Sequence, residues 1–75
     1  MKNEQTITGT LRIVEALPNS YYGNPRYLVA IGDDEYRTLH NSMLACYITK
    51  FDRKRVQAIV GTHYSKPTVR AVESF

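Results

Sequence analysis

The side chains in this sequence best suited to recognition chemistry are tyrosines and cations. Six of the 75 residues are tyrosine. Three of them, Tyr21, Tyr22 and Tyr64, fall among turn-forming residues, between Pro18-Asn19-Ser20 and Gly23-Asn24-Pro25 and just before Ser65-Lys66-Pro67. Rings on loops beside Arg and Lys can stack on the bases of single-stranded nucleic acid while the cations follow its phosphates, at about 1–3 kcal/mol per stacked base. The cations are Arg26, Arg37 and Lys66, with Lys50, Arg53, Lys54 and Arg55 in a short run around Phe51 and Asp52. Two other readings fit the same residues. Loop tyrosines also pack over the ends of small folds with their hydroxyls in water, and they anchor protein interfaces. A charge run is commonly a solvated turn whose charges guard an apolar strand, here Val56–Val60.

Residues for covalent or metal chemistry are few. Cys46 follows His40 at some distance and His63 is far along the chain, with no third group to orient a Cys–His pair. Cys46 therefore reads as a small buried hydrophobe. One cysteine and two histidines do not have zinc-ligand spacing. Gly61-Thr62-His63-Tyr64-Ser65-Lys66 holds a glycine, hydroxyls and a lysine, but its spacing is not that of a phosphate-binding loop and no helix follows. The adjacent carboxylates Asp33, Asp34 and Glu35 lack the cage of a calcium site. The expectation is a protein that is not an enzyme and has no cofactor and no metal.

Length and composition bound the rest. A chain of 75 residues, 43% hydrophobic and 23% charged, has room for one small domain and none for a Rossmann fold or a TIM barrel. The formal charge of +3 and pI near 9.2 mildly favour anionic partners. Against the basic run stands the acidic cluster at residues 33–35, so the charge is unevenly spread; a protein docking on a mixed-charge surface can use both ends. The single cysteine makes no internal disulfide, Met1–Thr6 carries no apolar signal segment, and no stretch approaches the ~20 apolar residues of a membrane span. These features predict a cytoplasmic protein with no membrane partner.

The elements that must position the tyrosines and cations are mostly strands. Ile7, Gly9, Leu11 and Ile13 alternate with Thr6, Thr8, Thr10 and Arg12, and Val14 and Ala16 then change parity. That pattern predicts one long curved strand over Thr6–Ala16, with Gly9 at a bulge or bend, and a disordered segment at 1–5. Residues 17–25 read as a loop. Arg26–Ile31 and Glu35–His40 form a hairpin about Gly32-Asp33-Asp34, with Tyr27 toward the core. Asn41-Ser42 offers cap chemistry before Met43, Leu44, Tyr47 and Ile48, whose spacing predicts a two-turn amphipathic helix with Tyr47 on its apolar side. Arg55–Thr62 and Thr68–Glu73 are the last two strands.

Three strands, a short helix and two more strands are the order of an OB-fold, a five-stranded Greek-key barrel. The chain is thus expected to be all-β with one short helix, a single OB-like barrel over residues 1–75, with an SH3-like barrel as the alternative. In the OB arrangement the loops after strand one and between strands four and five flank the ligand face. The first carries Tyr21 and Tyr22, the second Tyr64 and Lys66.

The runs Gly23-Asn24-Pro25-Arg26-Tyr27, Tyr36-Arg37-Thr38 and Ala45-Cys46-Tyr47-Ile48-Thr49 resemble a pattern that recurs in small uncharacterised phage and prophage proteins. The resemblance covers the middle third of the chain and implies a mobile-element origin, without implying an activity.

Three functional expectations follow. The first is a module that binds single-stranded nucleic acid, with Tyr21, Tyr22 and Tyr64 stacking and Arg26, Arg37, Lys50, Arg53, Lys54, Arg55 and Lys66 on phosphates. The second is a mobile-element protein that binds and inhibits or redirects a host protein through the same residues. The third is a homo-oligomer paired through edge strands or barrel faces.

Overall fold

The alternating segments form five strands: β1 (Lys2–Leu17), β2 (Arg26–Ile31), β3 (Asp34–Thr38), β4 (Lys54–His63) and β5 (Lys66–Ser74). They are seen in a computed structural model that describes every residue except 20–22, 24 and 40–42. The strands close into a barrel in the order β1-β2-β3-β5-β4. β3 and β5 are parallel, and the other neighbours are antiparallel. A simple meander could not make that parallel pair, because a parallel neighbour needs a crossover. Here the chain leaves β3, crosses the barrel end and returns through β4. This is the Greek-key closure of an OB-like barrel, and it distinguishes the fold from the SH3-like alternative.

Period-two alternation sends Leu11, Val29, Ile31, Tyr36, Val56, Ala58 and Val60 into a buried core, and the register shift at Ile59/Val60 lets both Val69 and Val72 of β5 join it despite their opposite parity. Tyr27 packs against that core from its edge. Its backbone N–H donates to the buried Thr38 Oγ1 at 3.1 Å, which gives the threonine hydroxyl a partner inside the barrel.

β1 serves both halves of the barrel. Its first part pairs with β4 as far as Leu11 opposite Lys54, and its second part pairs with β2 from Leu11 onward. Once β4 ends, the backbone of β1 needs new partners. The Arg53 N–H donates to the Leu11 carbonyl at 2.7 Å, and the Ile13 N–H donates to Asp52 Oδ1 at 2.9 Å. The bulge lies between Ile13 and Glu15, not at Gly9, which pairs regularly with Val56. Gly9 is needed for a different reason: a Cβ there would stand 3.2 Å from the Gly32 backbone N and 3.3 Å from Ile31 Cγ2. Residues 2–5, expected to be disordered, belong to β1, with Lys2 opposite Thr62 and Gln5 opposite Val60.

The connection after β3 corrects the expected helix. It holds two 3-10 turns, η1 (Met43–Cys46) and η2 (Ile48–Phe51), separated at Tyr47, whose φ of −133° is not helical. Leu44, Ala45, Ile48 and Phe51 are buried, so the turns plug the barrel. Tyr47, expected in the core, is 40% exposed, and Met43 is 75% exposed. Cys46 also faces out, contrary to its reading as a buried hydrophobe. A 3-10 turn advances three residues per turn, so the i, i+4 pairing used to place Tyr47 does not hold across it.

Candidate functional site

Sheet register decides which cations share a face. In β2, Tyr27, Val29 and Ile31 point inward, so Arg26, Leu28 and Ala30 point outward. Arg37 on β3 lies opposite Leu28 on one side and Thr68 of β5 on the other, so its side chain points outward too. Lys66 stands two residues before Thr68, on the same face. Lys66, Arg37 and Arg26 therefore follow a diagonal across β5, β3 and β2, each step about 7–8 Å between Cα atoms. Thr68 lies along this diagonal, buried beneath its neighbours, with its hydroxyl donating to the Lys66 carbonyl at 3.0 Å.

Tyr64 stands at the lower end of the diagonal. β4 and β5 are joined by the two residues Tyr64 and Ser65, with φ of 51° and 63°. Two positive φ values are the pattern of a type I′ turn, whose right-handed twist matches the strands it joins. Asn and Gly adopt that conformation readily, whereas a bulky side chain does so under strain. The turn leaves Tyr64 82% exposed. Its ring centroid lies 4.3 Å from that of His63, with the planes tilted at 54°. One side of the ring is thus supported by the barrel while the side chain stays open to solvent.

Arg26, at the other end of the diagonal, opens β2 a few residues after Tyr21 and Tyr22 in the sequence. Those two tyrosines lie outside the described residues, as does His40.

The basic run is elsewhere. Lys54 and Arg55 begin β4, opposite Leu11 and Thr10 of β1. Tyr64 follows the other end of β4, whose 10 residues extend about 30 Å. Two of these cations rest on rings: Lys50 Nζ lies 5.2 Å from the centroid of Phe51 and 5.5 Å from that of Tyr47, and the Arg55 guanidinium lies 5.3 Å from that of Phe75. Arg53 takes a left-handed conformation with φ of 64°, and its exposed side chain projects from the turn into β4. The structure brings together Tyr64, Lys66, Arg37 and Arg26, and it sets Lys50, Arg53, Lys54 and Arg55 apart from them.

Three charges that the sequence reading did not select share the diagonal's face. Glu15 lies opposite Leu28, and Arg12 and Glu35 flank Ala30. Half-buried Leu28 and buried Ala30 thus have charges of both signs on the strands beside them. Parity along β1 and β3 was the signal for them, but the shift at the Ile13–Glu15 bulge hid Glu15. Arg12 and Glu35 also line a shallow depression with Thr10, Ala30, Gly32 and Asp33.

Among the described residues, no three of His, Cys, Asp and Glu gather so as to hold a metal ion. No helix among them is long and apolar enough to cross a membrane. No family model matches the chain, and no curated protein or solved structure matches it either.

Proposed function

We propose that this chain is a non-catalytic binding module for single-stranded nucleic acid, engaged across the outer face of β2, β3 and β5. The observation that carries the reading is the alignment of Tyr64, Lys66, Arg37 and Arg26 along one diagonal of an OB-like barrel. A supported, exposed ring offers a stacking platform, and the spaced cations offer phosphate contacts. Tyr21 and Tyr22, a few residues before Arg26 in the sequence, belong to the same proposal as stacking rings. The run Lys50, Arg53, Lys54 and Arg55 serves in this reading as the solvated cap of the barrel's other end, with Lys50 and Arg55 lying over rings.

The test uses tyrosine fluorescence, since the chain has no tryptophan. Mixed-sequence single-stranded DNA and RNA are titrated at low and at moderate salt. Saturable quenching is expected, with a log K against log salt slope of about −2 for three neutralised phosphates. Arg37→Ala should weaken binding and make that slope shallower, and Lys54→Ala should leave both unchanged. No quenching at low salt would sink the reading.

A second reading has its own observation. Half-buried Leu28 lies between Glu15 and Arg37, with Arg12 and Glu35 beside the buried Ala30, a small mixed-charge patch of the kind that selects a protein partner. In this reading the chain is a mobile-element protein, as its sequence resemblance implies, and it binds a host protein. A stoichiometric, salt-tolerant complex lost in Leu28→Asp would favour it over the first.

A further inference from the structure

Arg26 and Arg37 carry charges that the rest of the described chain leaves unanswered. Both are half-buried. Neither side chain makes a hydrogen bond or an ion pair with any described residue. The Nε–H of Arg26 is also shut away from water without an acceptor. A guanidinium stays charged at any physiological pH and presents its donors in a rigid fork. A buried donor on such a group is costly when unmet, and native proteins almost always supply its partner. The nearest carboxylates in register, Glu15 opposite Leu28 and Glu35 opposite Ala30, do not supply it. Sheet geometry instead provides a second fork: Arg37 is opposite Leu28 and Arg26 is two residues from Leu28, a diagonal step of about 7–8 Å.

We infer that Arg26 and Arg37 form a subsite for one phosphate group, filled by a phosphodiester of the bound strand. The inference rests on the nucleic-acid reading above and adds to it a fixed anchor, with Lys66 and Tyr64 taking the nucleotides that follow. A tetrahedral phosphate presents oxygens to two forks at once, which a planar carboxylate does less well. The phosphate oxygens meet the outer Nη donors of the two guanidinium groups, and the Arg26 Nε–H, closed to water and without an acceptor among the described residues, reports on the subsite from beneath it.

The experiment follows the arginine Nε–H resonances of the 15N-labelled full chain. Inorganic phosphate is titrated against chloride at matched ionic strength, and then a short oligothymidylate is added. The Arg26 Nε–H signal should shift saturably with phosphate, should not do so with chloride, and should move again with the oligonucleotide. Arg37→Lys, which keeps the charge and loses the fork, should weaken phosphate binding by about tenfold or more. Equal responses to phosphate and chloride would overturn the subsite. So would an oligonucleotide that shifts the Tyr64 and Lys66 amides and leaves Arg26 unmoved, although the nucleic-acid reading would then stand. If phosphate saturates the Arg26 signal and oligothymidylate moves nothing, the phosphate subsite stands and its filling by a single strand falls together with that reading.

Discussion

The Glu4 carboxylate on β1 accepts two parallel hydrogen bonds from the Arg70 guanidinium on β5, from Nε at 3.0 Å and from Nη2 at 3.1 Å. The two strands are not neighbours; β4 runs between them. The contact forms because position 61 of β4 is glycine. A Cβ there would lie 2.6 Å from the Lys2 carbonyl oxygen and 3.4 Å from Glu4 Cα. The absence of a side chain lets the start of β1 lie close over β4, and Glu4 then reaches across to Arg70.

Gly61→Ala is therefore expected to lift residues 2–4 away from β4 and to cost about 1–3 kcal/mol. Arg70→Ala removes only a solvent-exposed ion pair and should cost at most about 1 kcal/mol. Urea unfolding of the two variants measures both. A Gly61→Ala protein as stable as the parent would mean that Lys2 and Glu4 do not pack there.

That close approach also shows where the sequence was legible. Strand periodicity needs only local information, and it located β2 to the residue; the chain order of the elements then pointed to an OB-like barrel. Residues 2–5 do not alternate, and what holds them is a glycine more than fifty residues away. The two 3-10 turns are not legible in the sequence, because Leu44 and Ile48 fit helical spacing equally well. What decides their geometry is the barrel end that Leu44, Ile48 and Phe51 fill. The site was legible residue by residue and not as a surface. Composition marked Arg26, Arg37, Tyr64 and Lys66 together with the basic run, and only the β3–β5 register separates the two groups.

The β4–β5 hairpin should trade stability for display. Ser65 sits at φ of 63° with a side chain that gains nothing from that conformation. Ser65→Gly is expected to stabilise the fold by about 1 kcal/mol, a rise of roughly 4–8 °C in Tm for a domain of this size. Tyr64→Asn should also relieve strain, but it removes the ring and should weaken nucleic-acid binding. Thermal melting and the fluorescence titration separate the two effects. An unchanged Tm in Ser65→Gly would mean that the turn is not held in the left-handed region.

Cys46 supplies a direct check on the 3-10 geometry. In the expected helix it was a core residue; in η1 it faces solvent. Iodoacetamide should therefore modify it fully in the native protein, without denaturant. Labelling only after unfolding would return Cys46 to the core and rule out the observed turn.

Tyr36 should make stability depend on alkaline pH. Burial pushes its phenol above the ordinary value near 10.0, and the negative charge of Asp34 adds to the effect. Native Tyr36 thus holds its proton at pH values where the unfolded chain releases it. Its contribution is fully present below about pH 10 and is lost as pH rises through the raised native value. Over that window the loss approaches about 1.4 kcal/mol per pH unit. Tyr36→Phe has no proton to release and should lose stability less steeply than the parent between pH 10 and 11, once the ionisations common to both proteins are subtracted. Asp34→Asn should leave the onset of the decline near pH 10 and end it at a lower pH than in the parent, with a smaller total loss, because removing the nearby negative charge brings the native phenol closer to its unfolded value. Urea unfolding of the three proteins across that range reads both effects. Parallel curves for the parent and Tyr36→Phe would mean that Tyr36 ionises as freely in the barrel as in the unfolded chain.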